Sequence, residues 1–157
     1  MKNYLYIGLM MAFTCVLSLI STSCSSDDDN TLPKPTVTLT EVGHNNSKHA
    51  HPGHDLHLEA DIMAEGLLKF IDIKIHQEGG GDFLIAKSFT TGNYIGVKNT
   101  EFHEHIEIPA DAPLGEYHLH FYVTDQQGQQ TLAESQLELV EADGEEEEEE
   151  EHHHHDE

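Results

Sequence analysis

Arginine and tryptophan are missing from this chain, and only 7 of its 157 residues are basic, all of them lysine. Against 30 acidic residues this leaves a formal charge of -23, so nucleic acid and anionic membrane surfaces are excluded as partners by repulsion. Cations are what such a chain attracts. With aromatics at 7%, a core has to rest on Ile, Leu and Val, helped by a few Phe and Tyr. Cysteine is nearly absent as well. Cys15 and Cys24 are the whole supply, both near the N-terminus, which leaves no thiol for a disulfide framework or a Cys-ligated zinc site. No segment of useful length has helical periodicity. No nucleophile elbow, phosphate loop or pair of catalytic carboxylates stands out either, so the expectation is a binding protein and not an enzyme.

What the chain does have is histidine, 14 in all. Between His44 and Glu59 five of them (His44, His49, His51, His54 and His57) surround Pro52 and Gly53 and lead into an alternating stretch, the pattern of a ligand-dense loop feeding a strand. His103-Glu104-His105 and His118-Leu119-His120 repeat the theme. At a period of two, both imidazoles of each pair point to one side of a strand.

The first 23 residues read as a secretory signal: Lys2, an apolar run from Tyr4 to Ile20, then Ser21, Thr22 and Ser23 before Cys24. A cysteine in that place is similar to the acylated cysteine of lipoproteins, which makes Cys24 the expected lipid attachment point. Ser25-Ser26-Asp27-Asp28-Asp29 resembles the acidic export tag of Bacteroidetes surface lipoproteins. Residues 24–35, with two prolines, form a linker.

From Thr36 onward alternation predicts seven strands: Thr36 to Val42, Asp55 to Ala64, Lys69 to Gln77, Phe83 to Phe89, Phe102 to Ile108, Tyr117 to Thr124 and Gln129 to Val140. Leu56, Leu58, Ala60 and Ile62 share one face of the second strand, while His57, Glu59 and Asp61 share the other. Ile71, Ile73 and Ile75 oppose Phe70, Asp72, Lys74 and His76 in the third. Seven short strands in one domain, residues 36–141, imply an all-β, immunoglobulin-like seven-stranded antiparallel β-sandwich. The run from Ile108 to Tyr117 looks like the E-to-F corner of bacterial immunoglobulin-like domains. With His54-Asp55-Leu56-His57-Leu58-Glu59-Ala60 and His103-Glu104-His105-Ile106, it resembles an uncharacterised domain-of-unknown-function family of Bacteroidetes lipoproteins. That resemblance implies the fold and no activity.

In such a sandwich the third and sixth strands pair, which sets His76 opposite His118 and His120, and the second and fifth pair, which brings His57 and Glu59 toward His103, His105 and Glu107. The loop histidines His44, His49, His51 and His54 are expected at the same end as His76 and His118. Outward-facing His103 and His105 would turn Glu104 inward, which predicts an irregular start to the fifth strand. Imidazole ligands select zinc, with copper and nickel as the other candidates, whereas calcium would require oxygen. Residues 142–157 are a low-complexity tail in which Glu145 to Glu151 precede His152, His153, His154 and His155, a segment suited to attracting metal. The expectation is an outer-membrane, surface-exposed lipoprotein that captures a divalent transition metal for buffering or delivery to an outer-membrane transporter. The alternative is an adhesive or scaffolding module with incidental histidines.

Overall fold

The structure, a computed structural model, describes residues 32–79 and 83–142. These residues form eight strands: β1 (Thr36–Val42), β2 (His49–Ala50), β3 (Asp55–Met63), β4 (Leu68–Gln77), β5 (Leu84–Phe89), β6 (Asn99–Glu107), β7 (Gly115–Asp125) and β8 (Gln130–Leu139), with one 3-10 turn at His44–Asn46. The seven strands expected from alternation are all present, with ends shifted by up to three residues. The count nevertheless needs correcting. His49 and Ala50 add a two-residue strand, and it runs parallel to β8, so the architecture is not wholly antiparallel. A two-residue strand is too short to leave a periodic signal, and its pairing depends on a partner some ninety residues away.

The strands make two sheets, β1-β3-β6 and β2-β8-β7-β4-β5. Each has one apolar face, and the two faces share a core. Leu56, Leu58, Ala60 and Ile62 of β3 are at most 3% exposed, as are Ile71, Ile73 and Ile75 of β4. Phe102 of β6 meets Phe121 of β7 with ring centroids 5.0 Å apart, an edge-on contact that joins the sheets. Burying each such side chain contributes roughly 1.5–3 kcal/mol. The period-two pattern that fills this core necessarily puts the intervening residues outside, and most of those are His, Glu and Asp.

Two local features position the histidines. Between Leu39 and Glu41 the pairing of β1 with β3 shifts, leaving Thr40 as an extra residue. This bulge lets Leu39 and Val42 both point inward and aims Glu41 outward, which strict alternation would not permit. In the loop after β1, Pro52 and Gly53 (φ 83°) form the centre of a turn closed by His54 N–H to the His51 carbonyl at 3.1 Å. Gly53 N–H also donates to the Ile108 carbonyl, and Ile108 N–H to that of His54, both at 2.9 Å, which fastens the loop to the end of β6. Among the described residues no helix is long and apolar enough to cross a membrane.

Candidate metal centre

On the outer face of β1-β3-β6, antiparallel register sets His57 opposite His105 and Glu59 opposite both His103 and, on the other side, Glu41. The expected pairing of His57 and Glu59 with the β6 histidines is therefore present. His57 lies in the middle. Its ring centroid is 4.8 Å from that of His103 and 5.1 Å from that of His105. Ligand atoms of His57, His103 and His105 all fall within 4.8 Å of one another, as do those of Glu41, His57 and Glu59. Four donors on three strands thus surround the His57 imidazole.

Glu59 organises this group. Its Oε1 stands 3.2 Å from His57 Nε2 and 2.9 Å from His103 Nδ1, while Glu41 Oε1 is 3.8 Å from the same His57 nitrogen. A carboxylate only accepts, so the His57 nitrogen hydrogen-bonded to it carries the hydrogen, while His103 Nδ1 lies against the same oxygen as a close ion-pair contact. Side-chain exposure falls from 57% at His103 to 19% at His57, which leaves the group open on the β6 side and shielded on the β1 side. Tyr94 braces the outer edge by donating its hydroxyl to the His103 carbonyl at 2.9 Å. Burial, followed by a hydrogen bond to the Glu104 side chain, pushes the Tyr94 phenol above its ordinary range. Glu104 thereby occupies its inward position half-buried beside Tyr94, and β6 runs regularly from Asn99 to Glu107, so the expected irregularity is absent.

The second expected cluster is in register too. His76 stands directly opposite His118 on β4 and β7, with ring centroids 5.5 Å apart, and the His120 ring lies 4.7 Å from His76. Here, however, nitrogens of His118 and His120 face other groups. His120 Nε2 meets Glu134 Oε1 at 3.0 Å, its Nδ1 faces the Tyr122 hydroxyl at 3.3 Å, and His118 Nε2 is 3.5 Å from Glu78 Oε1. These three imidazoles are not among the groups whose ligand atoms converge within 4.8 Å.

The loop histidines lie against both sheets. His44, His49 and His51 line a groove with His57 and His105, whereas His76 and His118 have no part in it. The β2-β8 pairing seats His49 in the larger sheet opposite Glu138, which in turn faces Glu116 two residues from His118, and His49, Glu78, Glu116 and Glu138 line a second pocket there. His54 packs edge-on against His51 at 6.0 Å. Cys24 and His152 to His155 lie outside the described residues. Glu41 was the donor that alternation concealed, and the clue to it was present: Leu39 and Val42, three apart, cannot both be inward on a regular strand. Glu134 could have been found by extending the hairpin register, which places it opposite His120.

A family profile described as Domain of unknown function (DUF4625) matches residues 22–140. No curated protein sequence matches the chain. Among solved structures, catalytically inactive OgpA from Akkermansia muciniphila in complex with an O-glycopeptide is similar at 12% identity and a TM-score of 0.50, over 69% of this chain and 30% of that one. Spo0M, a sporulation control protein from Bacillus subtilis, is similar at 15% identity and a TM-score of 0.46, over 71% of this chain and 51% of that one. The chain therefore spans about a third to a half of these structures. The likeness is one of fold.

Proposed function

The chain belongs to the DUF4625 family, and we propose that it captures a divalent transition metal, zinc foremost, on the outer face of β1-β3-β6. The observation that carries this reading is the convergence of His57, His103 and His105 ligand atoms within 4.8 Å, with Glu59 and Glu41 against the same ring. Three imidazoles and a carboxylate match the donor number and type of a four-coordinate zinc ion, and copper and nickel compete for the same set. His57 Nε2 now shares a hydrogen with Glu59, and His103 Nδ1 lies against the same carboxylate oxygen. A cation that takes these nitrogens replaces that proton with a stronger positive charge, and the carboxylate is already in place to balance it. The formal charge of -23 adds a long-range attraction for cations.

The protein is read as a capture and delivery module anchored through Cys24 at the outer-membrane surface, handing its ion to an uptake transporter. Donors standing on an open sheet face suit uptake and release better than they suit catalysis in a cleft. The scaffold is read as immunoglobulin-like. A three-stranded sheet packed on a larger one supports this, as does Tyr117, whose hydroxyl donates to the Pro113 carbonyl at 2.7 Å where the chain enters β7. The deciding experiment is zinc calorimetry on H103A and H105A with calcium as control: each variant loses at least tenfold in zinc affinity. Parental affinity in both would end the proposal.

A further inference from the structure

We propose that the groove between the 43–51 loop and the edge of the β3-β6 face is a second transition-metal position, held by His44, His49 and His51. The inference rests on the zinc-capture reading above and adds a separate donor set to it. The groove encloses about 460 Å³ and is lined by those three imidazoles, by His57 and His105, and by Val140. Since His57 and His105 serve the strand centre, the groove's own donors are the loop rings.

The loop is built to hold them there. Gly43, Asn45, Asn46 and Lys48 all have left-handed backbones, with φ of 72°, 53°, 58° and 63°. Side-chain-bearing residues adopt this conformation at a cost, and runs of it are retained where surrounding structure enforces them. Asn46 Oδ1 accepts from Val42 N–H at 3.0 Å and also from the Lys48 ammonium, and Lys48 N–H donates to the Val42 carbonyl at 2.9 Å. At Gly43 a Cβ would lie 2.5 Å from the His49 carbonyl oxygen, so no larger residue fits the path. Beyond these anchors, His51 Nδ1 is 3.1 Å from the Val140 carbonyl oxygen. A carbonyl only accepts, so that nitrogen carries the hydrogen and Nε2 keeps its lone pair, as in metal-binding histidines fixed by a backbone carbonyl. His49 adds a carboxylate partner, Glu138, at 3.5 Å.

The loop donors are not gathered within 4.8 Å as the strand donors are. Drawing exposed rings together costs side-chain freedom, so the groove binds more weakly than the strand centre.

The test is titration of zinc chloride into the full chain carrying H152N, H153N, H154N and H155N, followed by calorimetry and by ring-nitrogen spectra of histidine. The expected result is two equivalents, the first shifting His57, His103 and His105 and the second shifting Nε2 of His51 together with His44 and His49. The variant H44A/H49A changes only exposed positions, so it folds. It should abolish the second equivalent while leaving the first dissociation constant within about twofold, as for independent sites. H51A should do the same. A single equivalent confined to His57, His103 and His105, or a second one indifferent to H44A/H49A, overturns the groove and leaves the strand centre standing. Binding retained by H103A/H105A but lost in H44A/H49A would instead uphold the groove and overturn the strand centre.

Discussion

Glu41 and Glu59 face each other across β1 and β3 on the solvent side, although strict alternation along β1 would turn Glu41 into the core. The bulge at Thr40 produces this juxtaposition, and like charges side by side are unfavourable on a sheet surface unless a cation or a proton lies between them. His57 Nε2 is what lies between them, 3.2 Å from Glu59 and 3.8 Å from Glu41.

The two carboxylates should differ in weight. Glu59 orients two imidazoles and Glu41 approaches one at longer range, so E59Q is expected to weaken zinc binding by about 10- to 100-fold, the usual effect of removing a partner that orients ligands. E41Q should cost less than E59Q. Calorimetry at neutral pH ranks them, and equal losses would mean that Glu59 does not organise the centre.

At the β4-β7 face the expectation is the opposite. His120 already has Glu134 and Tyr122 at its two nitrogens, and His118 has Glu78. The double variant H76A/H118A should therefore leave the tightest zinc affinity within about twofold of the parent, as for distant independent sites. Loss of that affinity would move the tight site to the larger sheet.

Burial pushes the Tyr117 phenol above its ordinary 10.0 and, together with the Glu104 side chain, does the same for Tyr94. A raised value means the folded state holds the proton more tightly. The stability it contributes is complete below about pH 10, the unfolded phenol's value, and is lost as pH rises through the folded value. Phenolate absorbance of these two rings should thus appear at higher pH in the folded chain than in the unfolded one. Y117F should lower stability at neutral pH by roughly 1 kcal/mol, because it removes the hydrogen bond to Pro113.

If Cys24 carries the lipid, C24A should shift the protein from the membrane fraction to the soluble fraction, since acyl chains supply the binding energy of such anchors. Membrane retention of C24A would point to a different mode of attachment.

The strands and their facing were legible because Leu56-Leu58-Ala60-Ile62 and Ile71-Ile73-Ile75 keep strict period two. The pairings that followed set His57 against His105 and His76 against His118 in the observed register. What alternation could not supply was anything dependent on a break in it or on distant contacts. The Thr40 bulge changes parity in a single step, and β2 exists only through its partner on β8. Nor does register alone say whether ligand atoms converge. His76, His118 and His120 are adjacent by pairing, yet the nitrogens of His118 and His120 turn toward carboxylates and a hydroxyl that strand patterning does not weigh.

Metal and acid should act on stability through the same atoms. An ion that binds only the folded chain stabilises it by about 2.7 kcal/mol at a hundredfold excess over the dissociation constant. For a domain of this size that corresponds to a rise in melting temperature of roughly 10 °C or more. The imidazoles have to be neutral to ligate, and free imidazole takes a proton near pH 6.5, so affinity falls as pH falls and the zinc-induced rise should shrink steadily below that value. At about pH 5 it should be nearly gone, and a chelator at neutral pH should reverse it fully. Differential scanning fluorimetry of the H152N/H153N/H154N/H155N chain across this range, with and without zinc, reads all three effects. A zinc-dependent rise as large at pH 5 as at neutral pH would mean that carboxylates alone hold the ion and that His57, His103 and His105 do not.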